Sequence, residues 1–224
     1  MAFFTNEFLE FFKELARNNH KEWFNDHRKR YHEFVREPMK AFVAHMRMRL
    51  AEWDPEIEHM DLKNALFRIN NDIRFSKDKP LYKIHMAAFI SKGGRKEMHR
   101  PGFYMQLGPD APFIAGGSYM PSKEDLLSIR RTIAKEPEQF YSIIRENPFR
   151  DILGGLGPSK VNKRLPKDLQ SMAKNHPVLL NKQFYYSKEY NPNLILREDF
   201  DEYLLTHYKM AEPFRKYLKA AVEG

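Results

Sequence analysis

The hydrophobic pattern of this chain changes from a helical repeat to an extended repeat and back, and this change constrains the fold more than any single motif. Near the N-terminus, apolar side chains recur every three or four residues: Phe4, Phe8, Phe11, Phe12 and Leu15. This spacing is typical of an amphipathic helix. Between Phe103 and Leu107, apolar and polar side chains alternate, as in a half-buried strand. Because helical and extended patterns occupy separate blocks, the sequence predicts an α+β fold.

Turn signals divide the predicted fold into three parts of a single domain. The parts are a helical one at residues 1–52, a sheet at 62–120, and a mostly helical one at 122–224 with a late strand at 183–190. The short connection at residues 108–112 favours antiparallel pairing, since parallel strands need longer crossovers. We therefore expect one domain, residues 1–224, in which an antiparallel sheet is covered by N-terminal, central and C-terminal helices.

Several local signals refine this prediction. Asn19 and Glu22 have the spacing of a capping box at the start of the second helix. Pro38 lies within a helical pattern and predicts a kink or two consecutive helices. The pair Gly116-Gly117 in a predicted strand indicates a bulge or a close backbone approach. Helical spacing over residues 198–222 predicts one terminal helix.

Composition excludes several functional classes. The chain has no cysteine, which excludes disulfides, thiolate metal sites and cysteine nucleophiles. The first residues lack the basic start and unbroken apolar stretch of a signal peptide, and no apolar run approaches the roughly 20 residues of a membrane span. We therefore expect a cytoplasmic protein with no membrane partner. No cofactor fingerprint is present, and magnesium is expected only in the company of a phosphate substrate.

The charge of the chain favours anionic partners. There are 38 Lys and Arg residues against 30 Asp and Glu residues, which gives a formal net charge of +8. The excess is concentrated in two stretches, residues 60–100 with ten basic and four acidic side chains, and residues 160–188 with seven and one. A basic surface of this kind attracts either an anionic small molecule or nucleic acid, without selecting between them.

The segment over residues 65–83 is the candidate site. In an extended chain, one face carries Phe67, Ile69, Ile73 and Phe75, and the other carries Arg68, Asn70, Asp72, Arg74 and Ser76. Helical spacing of the same segment is an open alternative, because Leu62, Leu66, Ile69 and Ile73 also lie three or four residues apart. The functional interpretation is an anion pocket in which basic and hydroxyl groups hold a phosphate or carboxylate: Arg68, Arg74, Ser76, Lys79, Tyr82 and Lys83. The structural alternative is a set of ion pairs, Arg68–Asp72 and Arg74–Asp78, that neutralise one another.

The run Arg-Phe-Ser-Lys-Asp-Lys at residues 74–79, followed by Tyr82-Lys83, gives the chain a family resemblance. The flanking motifs agree: Asn18 to Phe24, Gly116-Gly117 with Pro121, and Arg164 to Lys167. On these motifs the chain resembles an uncharacterised conserved family, catalogued as domain of unknown function 2461, over most of its length. The resemblance implies an identity and carries no established activity with it.

Three hypotheses about function follow from the residues. The first is a pocket for a phosphate-bearing or other anionic ligand, built on the site residues above. The second is a nucleic-acid-binding module without catalysis, which rests on the two basic stretches and the aromatic run Phe184-Tyr185-Tyr186. The third is a phosphoester hydrolase or transferase, with Asp72 or Asp78 as general base or as a ligand for substrate-borne magnesium. His85 and His99, which flank the segment, are further candidate bases.

Overall fold

The computed structural model of this protein describes residues 2–74 and 79–224. Its strands form an antiparallel sheet in the order β1–β2–β3–β4, with β1 at Met86–Ile90, β2 at Gly102–Leu107, β3 at Phe113–Ser118 and β4 at Phe184–Glu189. The α-helices of the described residues are α1 (Asn6–Arg17), α2 (Lys21–Asp26), α3 (Arg28–Tyr31), α4 (Glu37–Ala51), α5 (Lys123–Lys135), α6 (Pro137–Arg145), α7 (Lys167–Asn175), α8 (Phe200–Met210) and α9 (Glu212–Glu223). The predicted α+β class is confirmed.

The chain divides into two compact units, each assembled from three segments. Unit 1 comprises Met1–Lys96, Tyr104–Ile114 and Glu189–Leu205, and unit 2 comprises Glu97–Phe103, Ala115–Lys188 and Thr206–Gly224. Neither unit is one contiguous stretch of sequence. The prediction of a single domain over residues 1–224 stays a prediction.

Unit 1 has an aromatic core that begins on α1. The ring of Phe8 meets those of Phe4 and Phe12 edge-on, with centroid distances of 4.7 and 5.3 Å. Phe42 of α4 stacks on Phe200 at 5.4 Å. All five side chains are buried, and each such ring pair contributes about 0.5–1.5 kcal/mol beyond the burial of its area. The three- and four-residue spacing in the sequence is therefore the spacing of core contacts.

The chain between α2 and α4 contains a π-helical turn at His32–Arg36. The amide of Glu37 donates to the carbonyl of His32, five residues back, where an α-helix would use the residue four back. Pro38 follows at once in the first turn of α4, where its missing amide is tolerated. The interruption predicted at Pro38 thus takes the form of one wide turn just before it.

The expected capping box at α2 is wrong. His20 is the residue that caps this helix, and its Nδ1 accepts a hydrogen bond from the amide of Trp23 at 3.4 Å. The Asn19 side chain is instead engaged by the backbone of Tyr82, far along the chain. The Asn19 side chain has both a donor and an acceptor, so it could cap a helix or bind a distant backbone segment. In the structure it does the second.

Unit 2 packs its core closely around β3 and β4. A Cβ atom added at Gly116 would lie 2.8 Å from the ring of Tyr186, and one added at Gly117 would lie 2.5 Å from the carbonyl oxygen of Phe184. The close backbone approach predicted for this glycine pair is confirmed.

At the C-terminus, the single helix predicted over residues 198–222 is in fact two, α8 and α9. The second begins with Pro213 in its first turn, which has no amide to continue the preceding helix.

Gly117 provides a test of this packing. Its φ of +104° and its contact with Phe184 both disfavour a side chain, so Gly117→Ala should destabilise the protein by about 3 kcal/mol or more. Gly154 is the matched control, because its φ is +80° but a Cβ added there would have no atom within 4 Å. Gly154→Ala should therefore cost only about 1–2 kcal/mol of backbone strain. Denaturant unfolding of both variants measures the difference, and equal losses would contradict the close approach.

Candidate functional site

Unit 1 contains a cavity of about 600 Å³ with many basic side chains and no acidic ones among its described lining residues. The lining comes from the helical stretch that includes α2, α3 and the start of α4, and from the chain between Leu62 and Arg95. We call it the cationic cavity and define it by its lining: Phe24, Arg28, Tyr31, His32, Arg36, Lys40, Leu62, Lys63, Leu66, Phe67, Arg68, Ile69, Asn70, Tyr82, Met86 and Arg95.

One wall of the cavity is a row of basic side chains at four-residue intervals, Arg28, His32, Arg36 and Lys40. In a regular α-helix such a row drifts around the axis by about 40° at each step, because 3.6 residues make one turn. The π-helical turn at His32–Arg36 has more residues per turn and turns the row back in the opposite sense. All four side chains consequently line the same concavity.

The other wall carries Lys63, Arg68 and Arg95. Arg95 follows Gly94, whose φ is +59° and whose added Cβ would lie 2.5 Å from the carbonyl oxygen of Asn64. This close approach holds Arg95 beside the turn that contains Lys63, and Nη2 of Arg95 donates to the Lys63 carbonyl at 3.2 Å. The guanidinium of Arg95 also lies over the ring of Phe67, 5.7 Å from its centroid.

The floor of the cavity is apolar and largely aromatic. The rings of Phe24 and Tyr82 stack with a centroid distance of 4.1 Å and an interplanar angle of 14°. Tyr31 packs beside Phe24 at 5.2 Å and donates a weak hydrogen bond to the sulfur of Met86 at 3.8 Å. Burial raises the pKa of Tyr31 to about 12, so its phenol stays neutral at physiological pH. These buried lining residues are therefore aromatic or apolar and carry no charge.

The basic groups of the cavity are only partly compensated. Lys40 pairs with Glu37 at 2.7 Å, and Arg68 lies 4.0 Å from Asp72. Four other Lys and Arg side chains of the cavity have no carboxylate of residues 2–74 or 79–224 within ion-pair distance: Arg28, Arg36, Lys63 and Arg95. Arg28 donates to Oδ1 of Asn25 at 2.9 Å, and Arg36 lies 3.4 Å from Nδ1 of His32. The cavity therefore has an excess of positive charge on both walls.

Arg30 shows that this excess is local. It lies on the same helical stretch as Arg28 but does not line the cavity, and its guanidinium is held by two acids of α1. Its Nε donates to Glu7 at 2.9 Å, and its two terminal nitrogens donate to Glu14 at 2.6 and 3.0 Å. Arg30 lowers the pKa of Glu14 through these bonds. Arg30 is thus paired with carboxylates, whereas no carboxylate of the described residues lies within ion-pair distance of Arg28 or Arg36.

Asn19 fixes the chain segment that carries Arg68 and Tyr82. Its Nδ2 donates to the Tyr82 carbonyl and its Oδ1 accepts from the Tyr82 amide, both at 2.9 Å. Tyr82 also forms an antiparallel bridge with Asn70, which joins the two arms of the segment. The amide of Lys83 donates to the carbonyl of Ile69 at 2.8 Å in the same pairing. Residues 69–71 and 81–83 thus pair irregularly as two arms of a hairpin, and the described part of the segment is not the regular strand suggested by its alternation.

The structure separates the predicted site residues into different environments. Arg68 and Tyr82 line the cationic cavity. Lys83 does not, and its Nζ donates instead to the carbonyls of Arg68 and Asn70 at 2.7 and 2.8 Å. Burial lowers the pKa of Lys83, helped by the nearby charge of Arg68. Lys79 is exposed, and Ser76 lies outside the described residues.

Of the predicted ion pairs, Arg68–Asp72 is observed at 4.0 Å, and the closer partner of Asp72 is Arg74, which was expected to pair with Asp78. Asp72 accepts two hydrogen bonds from Arg74, from Nε at 2.9 Å and from Nη2 at 2.7 Å. These bonds, with one from the Arg74 amide, hold the pKa of Asp72 well below its usual range. The pairing expected between Arg74 and Asp78 lies outside the described residues, as does most of the hexapeptide. Ile73, expected on the apolar face with Ile69, is exposed, because the bridged part of the segment ends near Asn71.

His85, a further predicted base candidate, has a lowered pKa. Burial, with a contribution from the charge of Lys83, lowers its pKa to about 4. Its backbone is packed against Gly108, where an added Cβ would lie 2.9 Å from Cβ of His85. A histidine with this pKa is neutral at pH 7 and a weak base, and it does not line the cavity. His99 lies in unit 2, where its carbonyl accepts from the hydroxyl of Ser118 at 3.4 Å.

Sequence reasoning missed most of the basic side chains of the cavity: Arg28, Arg36, Lys40, Lys63 and Arg95. The sequence does contain one signal for them, the basic side chain at every fourth position from Arg28 to Lys40. From the sequence alone, that row is indistinguishable from an ordinary solvated helix face. The structure adds the π-helical turn and the second chain stretch that completes the cavity. No comparable spacing identifies Lys63 or Arg95.

Comparison with known proteins yields one match. A family model described as a conserved hypothetical protein (DUF2461) matches residues 7–217. No curated protein and no solved structure matches the chain. Among the helices that the structure describes, none has the length and apolar character needed to cross a membrane. Within residues 2–74 and 79–224, no three His, Asp or Glu side chains cluster in a way that could hold a metal ion.

The role of Asn19 can be tested by truncation. Asn19→Ala removes two hydrogen bonds and leaves the backbone amide and carbonyl of Tyr82 without these partners, which should cost about 2–3 kcal/mol. At about 2–4 °C per kcal/mol for a chain of this length, the melting temperature should fall by roughly 5–10 °C. The neighbouring Asn18→Ala, which removes one bond to the Glu14 carbonyl, should cost about 1 kcal/mol. A loss at Asn19 no larger than that at Asn18 would show that Tyr82 is held by other contacts.

Proposed function

The chain belongs to this family of conserved hypothetical proteins, whose description names no activity, and from the geometry of unit 1 we propose that the cationic cavity binds a phosphate-bearing ligand. The observation that carries the proposal is the convergence of Arg28, Arg36, Lys63 and Arg95 on one concavity without carboxylate partners among the described residues. Like charges brought together in a folded protein repel one another, and an anion relieves that repulsion.

The types of side chain favour phosphate over other anions. Guanidinium groups present several N–H donors in a fixed plane, which matches the oxygens of a phosphate, and three of the cationic groups without carboxylate partners are arginines. The aromatic floor excludes water from one side of the cavity, and a lower local dielectric strengthens the attraction between the arginines and an anion. Arg28 and Arg36 also project from a helix, so part of their positioning is fixed before the ligand arrives.

Catalysis on the bound phosphate remains a separate prediction. Asp72, a candidate general base, is held by Arg74 and does not belong to the cavity lining. Its lowered pKa makes it a poor proton acceptor. Asp78, the other candidate, lies outside the described residues. The observations therefore favour a binding function, with phosphoester hydrolysis or transfer, and any magnesium carried in by the substrate, tested separately by turnover assays on Asp72→Asn and Asp78→Asn.

A second candidate function, nucleic-acid binding, is favoured by a cavity of about 510 Å³ in unit 2, which is lined by Lys163, Arg164 and Lys174 among others. The one acid in residues 160–188, Asp168, is occupied by Arg131 at 3.0 Å. In the aromatic run of β4, Phe184 and Tyr186 are buried, so Tyr185 is the ring of this run left for base stacking. This site would bind a polyanion by contacts to the phosphate backbone of the nucleic acid.

The phosphate proposal is tested by paired variants that change the net charge equally. Arg28→Gln with Arg36→Gln should weaken binding of inorganic tripolyphosphate at least about tenfold, because each charge-assisted hydrogen bond contributes about 1.5–3 kcal/mol. Arg17→Gln with Lys29→Gln changes exposed cations that do not line the cavity and should leave the affinity nearly unchanged. Isothermal titration calorimetry at fixed ionic strength measures both pairs. Equal weakening by the two pairs would mean that tripolyphosphate responds to net charge alone.

The nucleic-acid candidate is tested by salt dependence. Binding of a single-stranded oligonucleotide should weaken steeply between about 50 and 200 mM salt, and replacing Lys163, Arg164 and Lys174 with alanine should reduce the slope by up to about 2 to 3. Alanine at Lys123, Lys135 and Lys209, elsewhere in unit 2, is the control for net charge. Absence of oligonucleotide binding at low salt would eliminate this candidate and leave the phosphate proposal intact.

A further inference from the structure

We propose that the ligand of the cationic cavity is a small molecule with an aromatic ring and more than one phosphate group, of the size and charge of a nucleoside triphosphate. This inference rests on the proposed function and adds the substrate class. It is carried by three features of the cavity: the number of basic groups without carboxylate partners, their distribution over two walls, and the aromatic surface between them.

The number of positive charges calls for more than one phosphate. Four Lys and Arg side chains of the cavity have no carboxylate partner among the described residues, and Arg68 has one 4.0 Å away. A single phosphate group carries a charge of about −1.5 to −2 near neutral pH. One phosphate would therefore leave about half of these charges uncompensated, whereas a chain of phosphates matches them.

The distribution of the charges calls for an extended anion. Arg28 and Arg36 are eight residues apart along the helical wall, a separation of roughly 12 Å along its axis. Lys63 and Arg95 belong to the other chain stretch that lines the cavity and are joined by the hydrogen bond from Arg95 to the Lys63 carbonyl. A linear chain of phosphates can contact successive members of such a row, while a single tetrahedral anion is too small to reach them all.

The aromatic surface calls for a ring. Phe67 is half-buried and lines the cavity with the guanidinium of Arg95 over its face at 5.7 Å. The stacked pair of Phe24 and Tyr82 lies in the same lining. A volume of about 600 Å³ is in the range of pockets that enclose whole organic ligands, and an inorganic anion would leave the apolar floor in contact with water. Among the described lining residues, Asn70 is the one with a side-chain amide, so the presence of a ring should matter more than which base it is.

The experiment compares ATP, inorganic tripolyphosphate and adenosine by calorimetry on the full chain. ATP should bind at least about tenfold more tightly than tripolyphosphate, since stacking of a base on an aromatic side chain contributes about this much or more. Phe67→Leu should weaken ATP about tenfold and leave tripolyphosphate unchanged, and Phe67→Tyr should retain ATP binding because it keeps the ring. Adenosine alone should bind weakly.

Phe113 provides the matched control. Its ring, like that of Phe67, packs against Tyr104, with centroid distances of 5.3 and 6.0 Å respectively, but Phe113 does not line the cavity. Phe113→Leu should leave both affinities unchanged. If tripolyphosphate binds as tightly as ATP and Phe67→Leu affects neither, the ring is irrelevant: this inference is overturned and the proposed function stands. If adenosine binds as tightly as ATP, the phosphate chain is irrelevant and the inference is overturned. If neither ATP nor tripolyphosphate binds, both the inference and the proposed function fail.

Discussion

The contact between the side chain of Asn19 and the backbone of Tyr82 is the constraint on which the candidate site depends. Its two hydrogen bonds join the loop before α2 to a hairpin more than sixty residues later in the chain. Tyr82 then stacks on Phe24, which places the hairpin against the helices that carry Arg28 and Arg36. The two chain stretches that line the cationic cavity are thus connected through Asn19 and Tyr82.

Two kinds of arginine in this protein show how the fold treats positive charge. Arg215 in unit 2 is buried and makes two hydrogen bonds to Glu212, at 2.7 and 2.8 Å, while Arg30 in unit 1 is held by two acids of α1. A guanidinium removed from water is stable when it is paired in this way. Arg28 and Arg36 are more exposed and are left without carboxylates among the described residues, so they contribute little to folding. Their placement on one concave surface fits a role in binding a ligand better than a role in stability.

The sequence predicts much of the fold because its periodic signals coincide with the contacts that stabilise the core. The phenylalanines of α1 and the alternation in β2 are local patterns, and the Gly116-Gly117 pair indicates a close approach without saying what approaches. The site is predicted less completely. The charged hairpin is recognisable from its composition and supplies Arg68 and Tyr82, but its regular alternation fails at Ile73. The wall from Arg28 to Lys40 and the bonds of Asn19 depend on long-range packing, which no local pattern encodes.

The π-helical turn at His32–Arg36 links a backbone constraint to the chemistry of the cavity. Pro38 has no amide to donate to the carbonyl four residues earlier, and its ring crowds that carbonyl, so a regular α-helix is disfavoured where the proline enters. The wide turn just before it, closed by the bond from Glu37 to His32, moves the helix past this position without breaking it. The same turn cancels the drift of a four-residue row, so that Arg28, Arg36 and Lys40 line one surface. The position of the proline therefore determines where the π-helical turn lies. That turn aligns the basic side chains along the part of the helix that lines the cavity.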